Sequence, residues 1–301
     1  YRIIGSVAWI IYSISLLILV LVLFFGTAFH GTKGWFEIFG FTFQPVEFAK
    51  LGVIIFLAKF LSSRVSDKIH TKNIISSLIL IFIPVTLVLL QPDLGSSIVL
   101  LACWLVMLWF SGLEKKKVII MFFILLLIFI ASWFVVLEDY QKERVLNFVD
   151  PGRDPLGQGY NVRQSIIAVG SGGLVGRGLG LGPQSQLRFL PETEADFIFA
   201  SLAEELGLVG CLFVLILYSL FLFRFYRAVK IARDNFSQLL VLGVLTLFCV
   251  QIFINIGMSI GLLPVTGLPL PFISSGGSFL IISFIFLGII ESIMIKNKGV
   301  A

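Results

Sequence analysis

Charge is what this chain has least of. Only 13% of its 301 residues are Asp, Glu, Lys or Arg, where a soluble domain carries about a quarter. Against that, 58% are hydrophobic and 31 are Phe. A large soluble α-protein with buried helices is excluded, because too many uninterrupted apolar runs approach the ~20 residues that span a bilayer's hydrocarbon. Histidine is nearly absent: His30 and His70 are the only two and stand in no constellation. Neither histidine-based acid–base catalysis nor a histidine metal site is expected. Cys103, Cys211 and Cys249 lie in apolar runs at no metal or disulfide spacing, and read as small core residues. No nucleic-acid partner is expected.

What is present is a series of eight membrane-length runs, at about 8–29, 46–61, 74–90, 96–110, 118–137, 197–225, 239–263 and 278–295. Each is apolar all round, as a helix facing lipid and other helices must be. The sequence therefore predicts an all-α integral membrane protein, a polytopic helical bundle forming one membrane domain over residues 1–301. The first run outlasts a signal h-region, so no cleavable signal peptide is expected. Tyr1 in place of Met reads as a fragment or processed form. Lys and Arg crowd alternate connections, as in Lys115-Lys116-Lys117 and Arg224, Arg227, Lys230 and Arg233. The positive-inside rule then puts both termini in the cytoplasm and residues 138–196 in one long extracytoplasmic loop.

The carboxylates gather in that loop and at its junction with the next run: Glu138, Asp139, Glu143, Asp150, Asp154, Glu192, Glu194 and Asp196. Acids at a membrane edge are expensive and are functional candidates by default. Asp196 opens a span, where a carboxylate also complements the helix dipole. Catalysis and dipole complementation stand level on position alone. Glu192, four residues earlier, is placed to position Asp196. Glu204 and Glu205 lie about two turns deeper, so one of them faces the bundle interior. Glu47 and Lys50 share a helical face at i, i+3 and read as a structural ion pair. Asp93 reads as a helix-start residue. Arg144, Arg163, Arg177 and Arg188 offer bidentate contacts to a diphosphate, or else lie in solvent or among lipid headgroups. Trp35 suits an interfacial belt better than a platform for a sugar ring.

Two further features shape the loop. Residues 160–169 predict a short amphipathic helix at the interface. The glycine-rich run 170–182 follows no strand and is closed by no P-loop Lys or Ser/Thr. It reads as a loop that approaches another backbone closely. The breaks at Gln91-Pro92-Asp93-Leu94-Gly95 and at 264–277 fall on the same outer side, which implies a polar cavity opening outward.

At these residues the chain resembles the SEDS family (shape, elongation, division and sporulation). The stretches are FQPVEFAK at 43–50, QPDLGSS at 91–97, ERVLNFVDPGRDPLGQGYNVRQS at 143–165, FLPETEADFIFASLAEELGLVG at 189–210 and PLPFISSGGS at 269–278. QSQLRFLPE at 184–192 is more similar to the elongation branch. The resemblance implies a ten-helix fold of which the first two helices precede Tyr1. It implies polymerisation of lipid II into an undecaprenyl-linked glycan strand, for elongation and cell shape or for division, beside a class B penicillin-binding protein transpeptidase. It places the family's catalytic aspartate on Asp196 and its functional tryptophan on Trp35. Arg144, Arg163, Gln164, Arg188 and Glu192 fall in its substrate-binding stretches. The chain departs from the family pattern at Glu194-Ala195, where His-Thr is frequent, and at Ser275, where Tyr is common.

The expected function is an inverting, lipid-linked glycosyltransferase of the bacterial plasma membrane, with its cavity facing outward and the bilayer as a partner. No organic cofactor is expected. A divalent cation, Mg or Mn, is the one cofactor with a place in the reaction, and no ligand set is assigned to it. The alternative is a transporter (flippase) of lipid-linked precursor. It predicts charges through the whole membrane depth, whereas the acids here favour one leaflet.

Overall fold

The computed structural model describes residues 1–29, 32–38, 40–65, 70–135, 139–150, 153–154, 157–187, 189–190 and 195–298. Each of the eight apolar runs is a helix there. In chain order the helices are α1 (Arg2–Ser6), α2 (Ala8–Phe25), α3 (Pro45–Ser62), α4 (Thr71–Leu89), α5 (Leu94–Phe110) and α6 (Lys115–Val135). They continue with α7 (Asp139–Val149), α8 (Gln158–Ser171), α9 (Pro183–Gln186), α10 (Ile198–Ile231), α11 (Asn235–Ser259) and α12 (Gly277–Lys298). Among the described residues α2, α4, α10, α11 and α12 are long and apolar enough to cross a membrane. The fold is that of an all-α polytopic membrane protein.

The first run is shorter as a helix than its hydropathy predicts. Gly26 takes extended angles (φ −73°, ψ 147°) and closes α2. The apolar residues that follow enter a small antiparallel sheet of β1 (Thr27–Phe29), β2 (Thr32–Ile38) and β3 (Phe41–Phe43). Hydropathy alone does not separate an apolar strand from the end of an apolar helix. The expected helix at 160–169 is α8. The helix α7 was not expected, because its Lys142, Glu143 and Arg144 interrupt any apolar stripe.

The chain forms two compact units: Tyr1–Ile124 with Leu222–Val250 and Gly277–Ala301, and Leu125–Phe221 with Gln251–Gly276. In the first, α3 packs on α2, α4, α5 and α12 and is buried along most of its length. Small residues permit this: a Cβ on Gly52 would come within 2.7 Å of Ser15 Oγ on α2. Tyr12 stacks on Phe56 at 4.5 Å. Trp104, fully buried, donates from Nε1 to Ser77 Oγ (3.1 Å). Phe248 meets Phe225 and Phe286 edge-on, at 5.7 and 6.2 Å.

In the second unit the long helix α10 is interrupted. Gly207 has φ 65° and ψ −164°, a conformation open essentially to glycine alone. In an unbroken helix the carbonyls of Glu204 and Glu205 would bind the N–H groups of Leu208 and Val209. Here the glycine-rich segment fills all four positions. Arg177 N and Gly178 N donate to Glu204 O and Glu205 O, both at 3.0 Å, while Leu208 N and Val209 N donate to Gly173 O (2.9 Å) and Leu174 O (3.1 Å). A Cβ at Gly172 or Gly176 would collide with the carbonyl of Ala203 or Glu205. The close backbone approach predicted for this run is therefore made against α10.

Candidate functional site

Asp196 lies in the turn 195–197 that leads into α10, with its side chain half-buried. The following residue fixes the turn. Phe197 is buried with Ala168, Leu190 and Ala200, and Val169 and Val265 pack on that cluster. Phe197 O accepts from Ala200 N (3.0 Å) and Ser201 N (3.2 Å), which starts the helix. An aromatic anchor thus seats the backbone and leaves the aspartate half-buried.

Two buried side chains then clip the turn to the 260–276 connection. Asn255 of α11, fully buried, donates both amide hydrogens: one to Asp196 O (3.0 Å) and one to Leu268 O (2.8 Å). Ser274 Oγ donates to Ala195 O (2.6 Å) and accepts from Leu270 N (2.8 Å). The connection is secured in turn by Tyr218 OH, which donates to Pro271 O (2.6 Å). Phe272 is left-handed (φ 63°) and its ring stands edge-on to Phe221 at 5.5 Å. Gly267 faces the carboxylate: a Cβ there would lie an ordinary 3.7 Å from Asp196 Oδ2. Its φ of +71° is what calls for glycine, not lack of room.

Glu204 is the acid of the pair that faces inward, being fully buried, while Glu205 is half-buried. Its carboxylate caps α9, accepting Gln184 N (2.9 Å), Ser185 N (3.1 Å) and Ser185 Oγ (2.7 Å). Through these three hydrogen bonds Glu204 works as a buried brace for the loop. Arg144 lies on α7; on α8 Arg163 is exposed and Gln164 half-buried. Ser165, one residue on, donates to Ser259 O (2.6 Å) and ties α8 to α11.

The remaining candidates belong to the first unit. Glu47 and Lys50 form a buried ion pair at 2.7 Å on α3. Asp93 is the N-cap of α5, its Oδ1 accepting Ser96 N at 2.8 Å. Trp35 stands on β2, where its carbonyl accepts from Thr27 Oγ1 (3.1 Å). Arg188, Glu192, Glu138, Glu194 and His30 lie outside the described residues. Among the described residues no three His, Cys, Asp or Glu side chains gather as a metal site.

The family of cell cycle proteins that takes in FtsW, RodA and SpoVE matches residues 1–299. The chain belongs to the SEDS family. This SEDS chain is 43% identical to the peptidoglycan glycosyltransferase MrdB of Escherichia coli K12, over 96% of its own length and 78% of MrdB. Its fold is similar to a chain of a peptidoglycan synthase complex that coordinates polymerization and crosslinking. There the TM-score is 0.84 at 32% identity, covering 99% of this chain and 83% of that one. It is also similar to the rod shape determining protein RodA of Thermus thermophilus (TM-score 0.69, 30% identity, 96% and 78% covered).

Sequence reasoning about this SEDS chain missed Asn255 and Ser274. A signal existed for Asn255, since an amide inside an apolar run is costly unless it is satisfied. Which carbonyls it satisfies depends on a contact 59 residues away.

Proposed function

We propose that Asp196 is the general base with which this chain, a peptidoglycan glycosyltransferase, polymerises lipid II. The carboxylate takes the proton from the acceptor sugar hydroxyl. The freed oxygen pair attacks the donor's anomeric carbon, the C–O bond to undecaprenyl diphosphate breaks, and the configuration at that carbon inverts. The leaving diphosphate acquires the negative charge, and the arginines of the loop, Arg144, Arg163 and Arg188, are the groups we assign to it. Gln164 and Glu192 are assigned to the sugars. Mg or Mn, where present, would ride on the diphosphate, as Mg²⁺ does at other phosphate sites.

The observation that carries this reading is the two-sided clip of Asn255 and Ser274 on the Asp196 turn. A base has to be held in register with a hydroxyl proton to within a hydrogen bond. We further propose that the cavity faces away from the cytoplasm, that both ends of this chain are cytoplasmic, and that a class B penicillin-binding protein is the partner. Asp196→Asn keeps the shape and removes the base. It should insert and purify as the parent does while glycan strands fail to grow on lipid II; substantial polymerisation by the purified variant would refute the assignment.

A further inference from the structure

We infer that residues 174–187, with Phe189, form an apolar plate lying in the bilayer interface, with lipid acyl chains as its occupant. The charge pattern places this segment in a long polar loop. Its side chains do not fit water. Leu174, Val175, Leu179, Leu181, Leu187 and Phe189 are 70, 79, 74, 69, 66 and 45% exposed. Arg177 is the one charged residue between 172 and 187. An exposed apolar surface of this extent marks a protein or membrane contact.

The neighbouring helix selects lipid. The N–H groups of Leu208 and Val209 are bonded to the carbonyls of Gly173 and Leu174. The plate therefore continues directly from the exposed apolar face of α10, formed by Leu208, Val209, Leu212 and Phe213. From Leu206 to Phe223 α10 carries no charge, with Glu204 and Glu205 before that stretch and Arg224 after it. At a helical rise those residues span about 27 Å, close to the roughly 30 Å of bilayer hydrocarbon. The plate docks on 204–209, at one end of that stretch, which is the boundary between acyl chains and headgroups. Irregular backbone is tolerated there only if its polar groups are met by protein. Where the segment docks, at Gly173, Leu174, Arg177 and Gly178, the four hydrogen bonds at the α10 break meet that condition. Leu190, next after Phe189, packs with Phe197, so the depth of the plate fixes the depth of the Asp196 turn.

The test is collisional accessibility in liposomes. Spin labels are placed singly at Leu179→Cys and Leu181→Cys, with Cys103, Cys211 and Cys249 replaced by Ala. Phe213→Cys serves as the lipid reference and Arg153→Cys as the water reference. The expected result is high oxygen and low nickel-chelate accessibility at 179 and 181, matching 213 and opposite to 153. Nickel accessibility like that of 153 would mean a hydrated loop and would overturn the inference. Low accessibility to both reagents would mean cover by a partner protein or a second copy, and would overturn it as well. A Leu181→Trp variant with the native cysteines provides an independent readout. The added emission should be quenched by acyl-brominated lipid, and an unquenched tryptophan would count against the plate.

Discussion

At the scale of single residues, the site depends on small polar groups buried in apolar surroundings. Asn255 is the sharpest case, because both its donors are used and both acceptors are backbone carbonyls. Asn255→Leu removes both bonds and strands two carbonyls, a cost of about 1–3 kcal/mol. Asn255→Asp is expected to be worse, since it sets a carboxylate against the same two oxygens. Thermal unfolding in detergent should rank the variants native, Leu, Asp; an Asp variant as stable as the parent would contradict the clip. Asp196 itself was legible in the sequence, because an acid at the mouth of an apolar run is conspicuous. Its clip was not legible. Nothing in the spacing of Asn255 or Ser274 says that two carbonyls near residue 196 need donors, since that need arises only when the connection folds back.

At the scale of elements, α10 and the glycine-rich segment are one structure. The helix gives up two of its own hydrogen bonds at Gly207, and the loop supplies four across the gap. Gly207→Ala would force a Cβ into a conformation that costs about 1–3 kcal/mol and against the backbone N of Gly176. The expected outcome is loss of hydrogen-exchange protection at the amides of Arg177, Gly178, Leu208 and Val209. The amides of α11 should keep theirs, and unchanged protection at the break would rule out the docking. The sequence showed that 170–182 must come close to some backbone, because so many glycines exclude a Cβ. It did not show which backbone, because α10 reads as one continuous apolar helix. A single glycine in such a run is not a visible interruption.

At the scale of the whole molecule, charge is the organising signal. The alternation of basic connections led to the proposal that residues 115–117 are cytoplasmic and the loop around 153 is not. With the native cysteines replaced by Ala, an impermeant maleimide applied to intact cells should label Arg153→Cys. It should reach Lys116→Cys only after permeabilisation. The opposite pattern would invert the topology and with it the proposed site of polymerisation. The eight apolar helices were legible because each such run has to be paid for by lipid or by a buried interior, and among the described residues five of them are long and apolar enough to cross a membrane. The small sheet of β1, β2 and β3 was not, since its first strand, Thr27–Phe29, continues the apolar run of the helix before it.

By itself the sequence determined that this chain crosses a membrane as a set of helices, and which acid opens the helix after the long loop. Composition and run length decide those points, because the bilayer admits few backbone solutions and penalises every stray charge. Only the tertiary structure decided what holds that acid in place and where the glycine-rich segment rests. Both depend on hydrogen bonds between residues tens of positions apart, and such partners are chosen by how the backbone closes on itself rather than by the order of side chains along it.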